Sequence, residues 1–308
     1  MSRIRDTFAE LKHSRRGGFI PFITAGDPDL ETTELLLVEL AAAGADVIEL
    51  GVPFSDPVAD GEVIQRASER ALGKGVTLSE ALRCVSNAKA HVDIPIVLFS
   101  YLNPLLKFGK DRLAEDAKRA GVDAVLITDL TPEEAGPWIR ALRGRGIDLI
   151  FLVAPTTSDE RLTRIAQQAH GFIYAVSRAG VTGVRNEVPR DAEPLVKRVR
   201  AVSDLPVAVG FGISTAEQVR QVWRFADAAV IGSAIVSEIE KLADSPRAGK
   251  THRPVRSIIA TGATRWVRTR RLARQKQVLY VFVSITSAQN SCERLHWFDV
   301  RAENLKSS

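Results

Sequence analysis

Residues 46–61 read DVIELGVPFSDPVADG. The first part is a short apolar run typical of a strand buried on both faces, and the second part is a loop rich in Gly, Pro and Asp. Glu49 lies inside the apolar run, where burial of a carboxyl group is costly and raises its pKa towards values useful for proton transfer. The acids Asp56, Asp60 and Glu62 follow. A loop aspartate alone more often bonds nearby backbone amides, so it is the combination with Glu49 that indicates chemistry.

The same order of elements repeats on both sides of this stretch. Helix-like segments end in AGAD at 43–46, AGVD at 120–123 and FAD at 225–227, and an apolar strand follows each at once. The sequence predicts eight strands in total, at 18–24, 46–50, 94–100, 123–128, 147–153, 171–176, 206–210 and 227–231. Amphipathic helices are predicted between them. This alternation predicts a parallel sheet closed into a (β/α)8 TIM barrel; an open doubly wound sheet is the second possibility, although no GxGxxG follows the first strand.

In such a barrel the active site lies in the loops at the carboxyl ends of the strands. The loop after strand six, SRAGVTGV at 177–184, is long and glycine-bearing, which suits a mobile lid. The loops after the last two strands, GFGIS at 210–214 and GSA at 232–234, let backbone N–H groups approach an anion, and the second one opens a short helix. These two loops predict a phosphate site.

The composition is that of an ordinary globular protein. The chain has 308 residues, of which 45% are hydrophobic and 26% charged, and no apolar run is long enough to span a membrane. The N-terminus has no apolar signal region and predicts an amphipathic helix with Ile4, Phe8 and Leu11 on one face, so a cytoplasmic protein is expected. Cys84 and Cys292 indicate no disulfide framework, and five scattered histidines give no metal-ligand spacing.

The positive charge is concentrated at one end of the chain. Residues 1–246 hold 29 Lys and Arg against 34 Asp and Glu, a net −5, whereas residues 247–308 hold 13 against 3, a net +10. We therefore expect a catalytic barrel at 1–246 and an atypical basic C-terminal extension at 247–308. The basic balance says nothing about what the barrel binds.

The motifs of the barrel resemble those of one family. GFIPFITAGDPD, DVIELGVPFSDPVADG, YLNP, FIYAVSRAGVTG, VAVGFGIS and VIGSAIV stand in the order found in the tryptophan synthase alpha subunit, over about residues 1–245. The resemblance implies a lyase of tryptophan biosynthesis, which cleaves indole-3-glycerol phosphate to indole and glyceraldehyde 3-phosphate by a retro-aldol reaction.

The resemblance also implies roles for particular residues. Glu49 matches the general acid/base that protonates the indole ring carbon, and Asp60 matches the acid that stabilises charge at the indole nitrogen. The remaining matches are to substrate-binding residues. Phe22, Tyr174 and Tyr101 match residues of the indole pocket. The phosphate cradle is matched by Gly183, Gly212, Gly232 and Ser233. Thr182 matches the lid residue that closes onto the Asp60 loop.

By the same resemblance, the partner is the tryptophan synthase beta subunit in an α2β2 complex. Pyridoxal phosphate belongs to that partner, so no cofactor is expected on this chain. No metal, nucleic acid or membrane is expected to bind.

The resemblance stops near Pro246, where the family continues with a final helix that closes the barrel. Three interpretations of the tail remain. The one we favour is an altered gene end that lacks this helix; the second is a substitute helix at 255–277 followed by a strand at 278–285. The third is a basic extension that binds nucleic acid or anionic membrane, since its arginines cluster beside Trp266. Two alternatives to the lyase follow: a barrel that only docks on the beta subunit or is too unstable to work, and another phosphate-binding isomerase or cyclase.

Overall fold

The computed structural model describes residues 2–176, 190–210 and 212–243. Within them, eight parallel strands form a closed barrel in sequential order, with the first strand paired to the last. All eight predicted strands are confirmed: β1 Gly18–Thr24, β2 Ile48–Gly51, β3 Ile96–Ser100, β4 Ala124–Ile127, β5 Asp148–Val153, β6 Ile173–Val176, β7 Val207–Gly210 and β8 Ala228–Ile231.

Helices precede and connect the strands on the outside of the barrel. Most lie where the amphipathic pattern predicts them. Those of the first half are α1 Arg3–His13, α2 Leu30–Ala42, α3 Glu62–Gly73, α4 Leu78–Ala88, α5 Leu102–Phe108 and α6 Lys110–Ala120. Those of the second half are α7 Gly136–Arg143, α8 Asp159–Gln168, α9 Ala192–Arg200, α10 Ala216–Val222 and α11 Ser233–Ala243.

One segment differs from the prediction. The barrel pattern places a loop after each strand, but after β3 the YLNP segment enters a helix, α5, which begins at Leu102 and includes Asn103 and Pro104. Proline is compatible with the first turn of a helix because the N–H groups there have no partner within the helix. The helix is short, and Gly109, with a φ of 95°, ends it before α6.

The side chains of the strands alternate between two cores. On β1, Ile20 and Phe22 face the barrel interior, whereas Phe19 and Ile23 pack outwards against the helices. The predicted apolar face of α1 closes one end of the interior, where the rings of Phe8 and Phe172 lie 5.5 Å apart. The interior is therefore a packed core that leaves the carboxyl ends of the strands for a site.

The repeated aspartate before a strand has a structural cause. Each one accepts a hydrogen bond from the backbone N–H near the start of the preceding strand in the chain, and so fixes the register of the two. The pairs are Asp46 with Phe19 N at 2.8 Å, Asp123 with Ile96 N at 2.9 Å, and Asp227 with Val207 N at 2.8 Å. Cations lie beside these buried or half-buried carboxylates, as Lys89 does at 2.9 Å from Asp123.

Candidate active site

Glu49 faces the barrel interior from β2. Its neighbours Ile48 and Leu50 pack outwards, so the alternation turns Glu49 inwards, and its residue is only 1% exposed. Across the sheet it lies in register with Phe22 on β1 and Val97 on β3. Neither carboxyl oxygen has a hydrogen-bond partner among the described residues. Burial in these surroundings raises the pKa of Glu49 from 4.5 to about 8.

Asp60 occupies the loop that follows β2 and is 8% exposed. The loop is held at both sides of this residue: Asp60 N donates to Pro57 O at 2.9 Å, and the Gln65 side chain donates to Asp60 O at 2.9 Å. Burial raises the pKa of Asp60 to about 6, against the opposing effect of a hydrogen bond from Tyr101. Asp56 and Glu62, the other two acids that follow Glu49 in the sequence, are exposed.

Tyr101 connects the end of β3 to the Asp60 loop. Its hydroxyl accepts a hydrogen bond from Ala59 N at 2.9 Å and is also hydrogen-bonded to the Asp60 side chain. Its ring packs on Phe54, with 5.1 Å between ring centroids. The sequence suggested only a pocket-lining aromatic at this position, and the structure adds contacts that hold the acidic loop in place.

Phe22 and Tyr174 supply aromatic surface to the interior. Phe22 packs edge-on against Phe99 at 5.4 Å between centroids. The Tyr174 hydroxyl lies against Gly210, where a Cβ atom would stand 2.0 Å from it, so only glycine fits at that position. The pKa of Tyr174 is raised by burial and by the negative charges of Glu49 and Asp60, which indicates that the three side chains share one interior space.

The glycine-bearing loops after β7 and β8 lie at the same end of the barrel. Gly212 has a φ of 82°, and apart from its chain neighbours no heavy atom of the described residues lies within 4 Å of the position that its Cβ would occupy. Gly232 accepts hydrogen bonds from Ile235 N and Val236 N, and Ser233 begins α11. The first N–H groups of a helix have no partner within it and attract anions. Both loops therefore have the geometry of an anion cradle.

Gln218 is a residue of this site that sequence reasoning missed. It is buried on α10, and its side-chain oxygen accepts hydrogen bonds from Ser214 N at 2.7 Å and Thr215 N at 2.9 Å. The Thr215 hydroxyl in turn accepts a hydrogen bond from Gln218 N at 3.2 Å. Gln218 thereby fixes the loop that carries Gly212. The signal was present as the T-x-x-Q spacing of a capping box.

The structure thus brings Glu49, Asp60, Phe22, Tyr101 and Tyr174 to one end of the barrel, with Gly212, Gly232 and Ser233 in the neighbouring loops. Thr182, Gly183 and the predicted lid lie outside the described residues, as does the whole extension at 247–308 with its possible helix and strand. In the part of the chain that the structure describes, there is no group of three or more His, Cys, Asp or Glu side chains that could hold a metal ion. No helix in the described ranges has the length and apolar character needed to cross a bilayer.

A closed (β/α)8 barrel with two buried carboxyls of different pKa at the carboxyl ends of its strands defines a barrel enzyme that works by acid–base catalysis. The family model described as "Tryptophan synthase alpha chain" matches residues 8–258. The chain belongs to this family.

Individual relatives agree with the family model. The tryptophan synthase alpha chain of Citrifermentans bemidjiense is 52% identical over 241 residues, which are 78% of this chain and 90% of that protein. A crystal structure of the alpha chain from Legionella pneumophila subsp. pneumophila is 38% identical with a TM-score of 0.77, covering 87% of this chain and 97% of that one. A structure of Mycobacterium tuberculosis tryptophan synthase is 34% identical with a TM-score of 0.77, with the same two coverages.

Proposed function

We propose that Glu49 and Asp60 carry out the reaction of the family in this chain, the retro-aldol cleavage of indole-3-glycerol phosphate to indole and glyceraldehyde 3-phosphate. The observation that supports these roles is the pair of buried carboxyls with different proton affinities. Burial raises the pKa of Glu49 to about 8 and that of Asp60 only to about 6. Near pH 7, Glu49 therefore holds a proton and Asp60 does not.

The two protonation states fit the two tasks of the reaction. Breaking the bond between the indole ring and the glycerol chain requires a proton at the ring carbon, which Glu49 donates. The ring nitrogen becomes electron-poor when that carbon is protonated, and the Asp60 carboxylate stabilises it by accepting a hydrogen bond from the ring N–H. Phe22 and Tyr174 provide the apolar surface against which the ring packs, and Tyr101 holds the Asp60 loop beside it.

The phosphate end of the substrate requires a separate group of residues. We assign it to Gly212, Gly232 and Ser233, because they combine open backbone at a positive φ with the first turn of α11. Thr182 and Gly183 of the lid complete this assignment from outside the described residues. The barrel at 1–246 would then be the catalytic domain, and 247–308 an extension to it.

Indole release from indole-3-glycerol phosphate tests the assignment. We expect Glu49→Gln to abolish cleavage while sparing substrate binding, and Asp60→Asn to lower kcat by at least about 100-fold, typical for the loss of a group in acid–base catalysis. Asp56→Asn is the matched control, because Asp56 lies on the same loop and is exposed. Full activity in Glu49→Gln would remove the assignment.

A beta subunit is the proposed partner, in an α2β2 complex. The loop after β2 and the helix after β3 expose Val58 and Leu106, by 79% and 56%, on elements next to the site. Apolar side chains of this size at the mouth of a barrel suit a protein interface through which indole could pass. Val58→Asp with Leu106→Asp should weaken co-purification with a beta subunit, whereas Val202→Asp, at an exposed position in the turn after α9, should not.

We propose that pyridoxal phosphate is bound by that partner and that this chain uses no cofactor, since the acid–base pair accounts for both proton requirements. A visible-range chromophore in the purified chain would contradict this proposal.

A cytoplasmic location follows from the biosynthetic role. The family match and the relatives at about 50% identity do not favour the two other functions considered from the sequence, which are a barrel that only docks and another phosphate-binding isomerase or cyclase. Both predict no indole release.

A further inference from the structure

Gly51 is a glycine that its own backbone does not require. It is the last residue of β2, and its φ is not in the left-handed region, unlike that of Gly121, which is 88°. An alanine could therefore adopt the same backbone conformation. Glycine inside a strand often marks a place where another group approaches closely. The missing side chain of Gly51 is thus the feature that needs an explanation.

The ring of Phe22 fills the space that a side chain at Gly51 would occupy. A Cβ atom there would stand 2.5 Å from Cζ of Phe22 and 2.8 Å from its Cε2. Phe22 pairs with Glu49, and Gly51 lies two residues further along β2 towards the mouth of the barrel. Glu49 and Gly51 share one face of the strand, because side chains alternate along it. The ring therefore lies across β2 on the mouth side of the Glu49 carboxyl.

Other contacts leave the Phe22 ring little room to move. On one side it packs edge-on against Phe99, with 5.4 Å between ring centroids. On the side of β8, a Cβ atom at Gly232 would stand 3.6 Å from Cβ and Cδ1 of Phe22 and 3.6 Å from Cδ1 of Ile64. A methyl group at Gly51 would therefore push the ring away from β2 and towards the centre of the barrel, because the flanking positions are already filled.

The position of the ring also explains why Glu49 lacks hydrogen bonds. Thr24 is the next residue of β1 that faces the interior, and it pairs with Gly51. Because the Phe22 ring lies over Gly51, it stands between the Thr24 hydroxyl and the Glu49 carboxyl. Neither group has a hydrogen-bond partner among the described residues. The ring thus isolates the carboxyl from the polar group on the neighbouring strand.

The groups that surround Glu49 leave burial as the cause of its protonation state. The titratable groups that share the interior are Asp60 from the loop after β2, Tyr101 from the end of β3 and Tyr174 from β6. The other strands and the helices α1, α3 and α11 contribute apolar side chains to this interior. Burial raises the pKa of Glu49 to about 8. Any group that controls the access of water to Glu49 therefore controls its proton.

We propose that Gly51 is a positioning residue for the general acid: its missing side chain lets the Phe22 ring lie over β2, where the ring excludes water from the Glu49 carboxyl. The inference rests on the function proposed for Glu49. Water would stabilise the carboxylate form, so the covered carboxyl keeps its proton near neutral pH, as a proton donor requires. Gly51 itself acts only through Phe22.

Gly51→Ala tests the role by displacing the ring, since one methyl group covers less of the carboxyl than the ring does. We expect the pKa of Glu49, followed by carbon NMR of its carboxyl group, to fall from about 8 by about one unit as water reaches it. The alkaline limb of the kcat profile should move to lower pH with it, because Glu49 acts in its protonated form.

Gly73→Ala is the matched control. Gly73 is the last residue of α3, and apart from its chain neighbours and its own helix no heavy atom of the described residues lies within 4 Å of the position that its Cβ would occupy. Neither the pKa of Glu49 nor the alkaline limb should change in this variant. An unchanged pKa of Glu49 in Gly51→Ala would overturn the proposal.

The Phe22→Leu background shows whether the effect passes through the ring. Leucine leaves room for the added methyl group, so Gly51→Ala should there shift the pKa of Glu49 by less than about a third of its shift beside Phe22. Equal shifts in the two backgrounds would overturn the proposal. If Gly51→Ala does not fold, a lowered Glu49 pKa in Phe22→Leu and a folded double variant support the proposal. An unchanged pKa or an unfolded double variant overturns it.

The NMR titration does not depend on catalysis. Activity retained in Glu49→Gln would remove the proposed function, whereas the pKa of Glu49 in Gly51→Ala would still show whether the ring excludes water. The two failures are therefore distinguishable.

Discussion

Glu49 and Asp60 are chemically similar groups whose surroundings give them different proton affinities. Glu49 sits in the apolar wall of the barrel with no hydrogen-bond partner among the described residues, and burial raises its pKa to about 8. Asp60 lies in a loop where Tyr101 donates a hydrogen bond to it, so its pKa rises only to about 6. Between these two values, one group is an acid and the other a base. The assignment of roles therefore follows from the environment and not from the residue type.

The burial of Glu49 should make the stability of the folded protein depend on pH. The folded pKa of about 8 lies above the ordinary value of 4.5, so the folded state holds this proton more tightly than the unfolded state does. Stability is therefore unaffected below pH 4.5 and falls as the pH rises to about 8, by about 5 kcal/mol at 1.36 kcal/mol per pKa unit. Glu49→Gln should lack this loss and be the more stable protein at pH 8.5. Urea unfolding at pH 5 and pH 8.5 measures the difference, and parallel behaviour of the two proteins would contradict it.

Tyr101 should set the acid limb of activity. Tyr101→Phe keeps the ring beside Phe54 but removes the hydroxyl that bonds Ala59 N and Asp60. Since that hydrogen bond lowers the pKa of Asp60, its loss should raise the pKa above about 6. Asp60 acts as a carboxylate, so activity disappears as the pH falls through its pKa, and the acid limb of kcat should move to higher pH. We expect kcat at pH 7 to fall by about 10-fold. An acid limb at its original position would show that Tyr101 does not act through Asp60.

At the scale of elements, an ion-pair network ties together the parts of the barrel that carry the site. Arg70 on α3 forms a two-bond pair with Asp27 in the loop after β1, at 2.8 and 2.9 Å, and also contacts Glu240 on α11 at 2.7 Å. Arg66 forms a second two-bond pair with Glu240. The helix α3 begins two residues after Asp60, and α11 begins at Ser233. The network therefore joins the acidic loop to the anion cradle.

The two arginines should differ in importance although both bond Glu240. Arg70→Met leaves the Asp27 carboxylate, which is 1% exposed, without its bidentate partner. Removing one member of a buried pair costs about 3 to 5 kcal/mol. Arg66→Met removes a partner that is about half exposed and should cost clearly less. Chemical denaturation of the two variants makes the comparison. Equal losses would mean that the burial of Asp27 does not determine the effect.

The sequence predicted the elements better than the contacts between them. Local patterns were sufficient for the strands and for the buried acid Glu49, because continuous apolar runs and an anomalous charge are both visible in a short window. The sequence does not predict α5, because a helix of 7 residues is too short to show a clear helical periodicity. The tie between Tyr101 and Asp60 depends on residues that only the closed barrel brings together.

At the scale of the whole molecule, the described strands and helices account for the closed barrel, and the family relationship extends somewhat beyond them. The family model matches as far as residue 258, whereas the resemblance seen in the motifs ended near residue 245. The chain covers 90% of the length of the Citrifermentans bemidjiense relative. The basic residues beyond 258, nine Lys and Arg against three Asp and Glu, thus lie outside the family match.

Two truncations should separate the family part of the chain from the rest. Removing 259–308 should leave indole release within about twofold of the full chain, because the candidate site residues, all eight strands and the complete family match lie before residue 259. Removing 245–308 should lower both activity and melting temperature, because this truncation also removes residues 245–258, which belong to the family match. Both truncated chains are compared with the full chain, with and without a beta subunit. If the chain that lacks 259–308 loses activity in both conditions, residues 259–308 contribute to the barrel. If the chain that lacks 245–308 keeps full activity and melting temperature, the barrel needs nothing beyond α11.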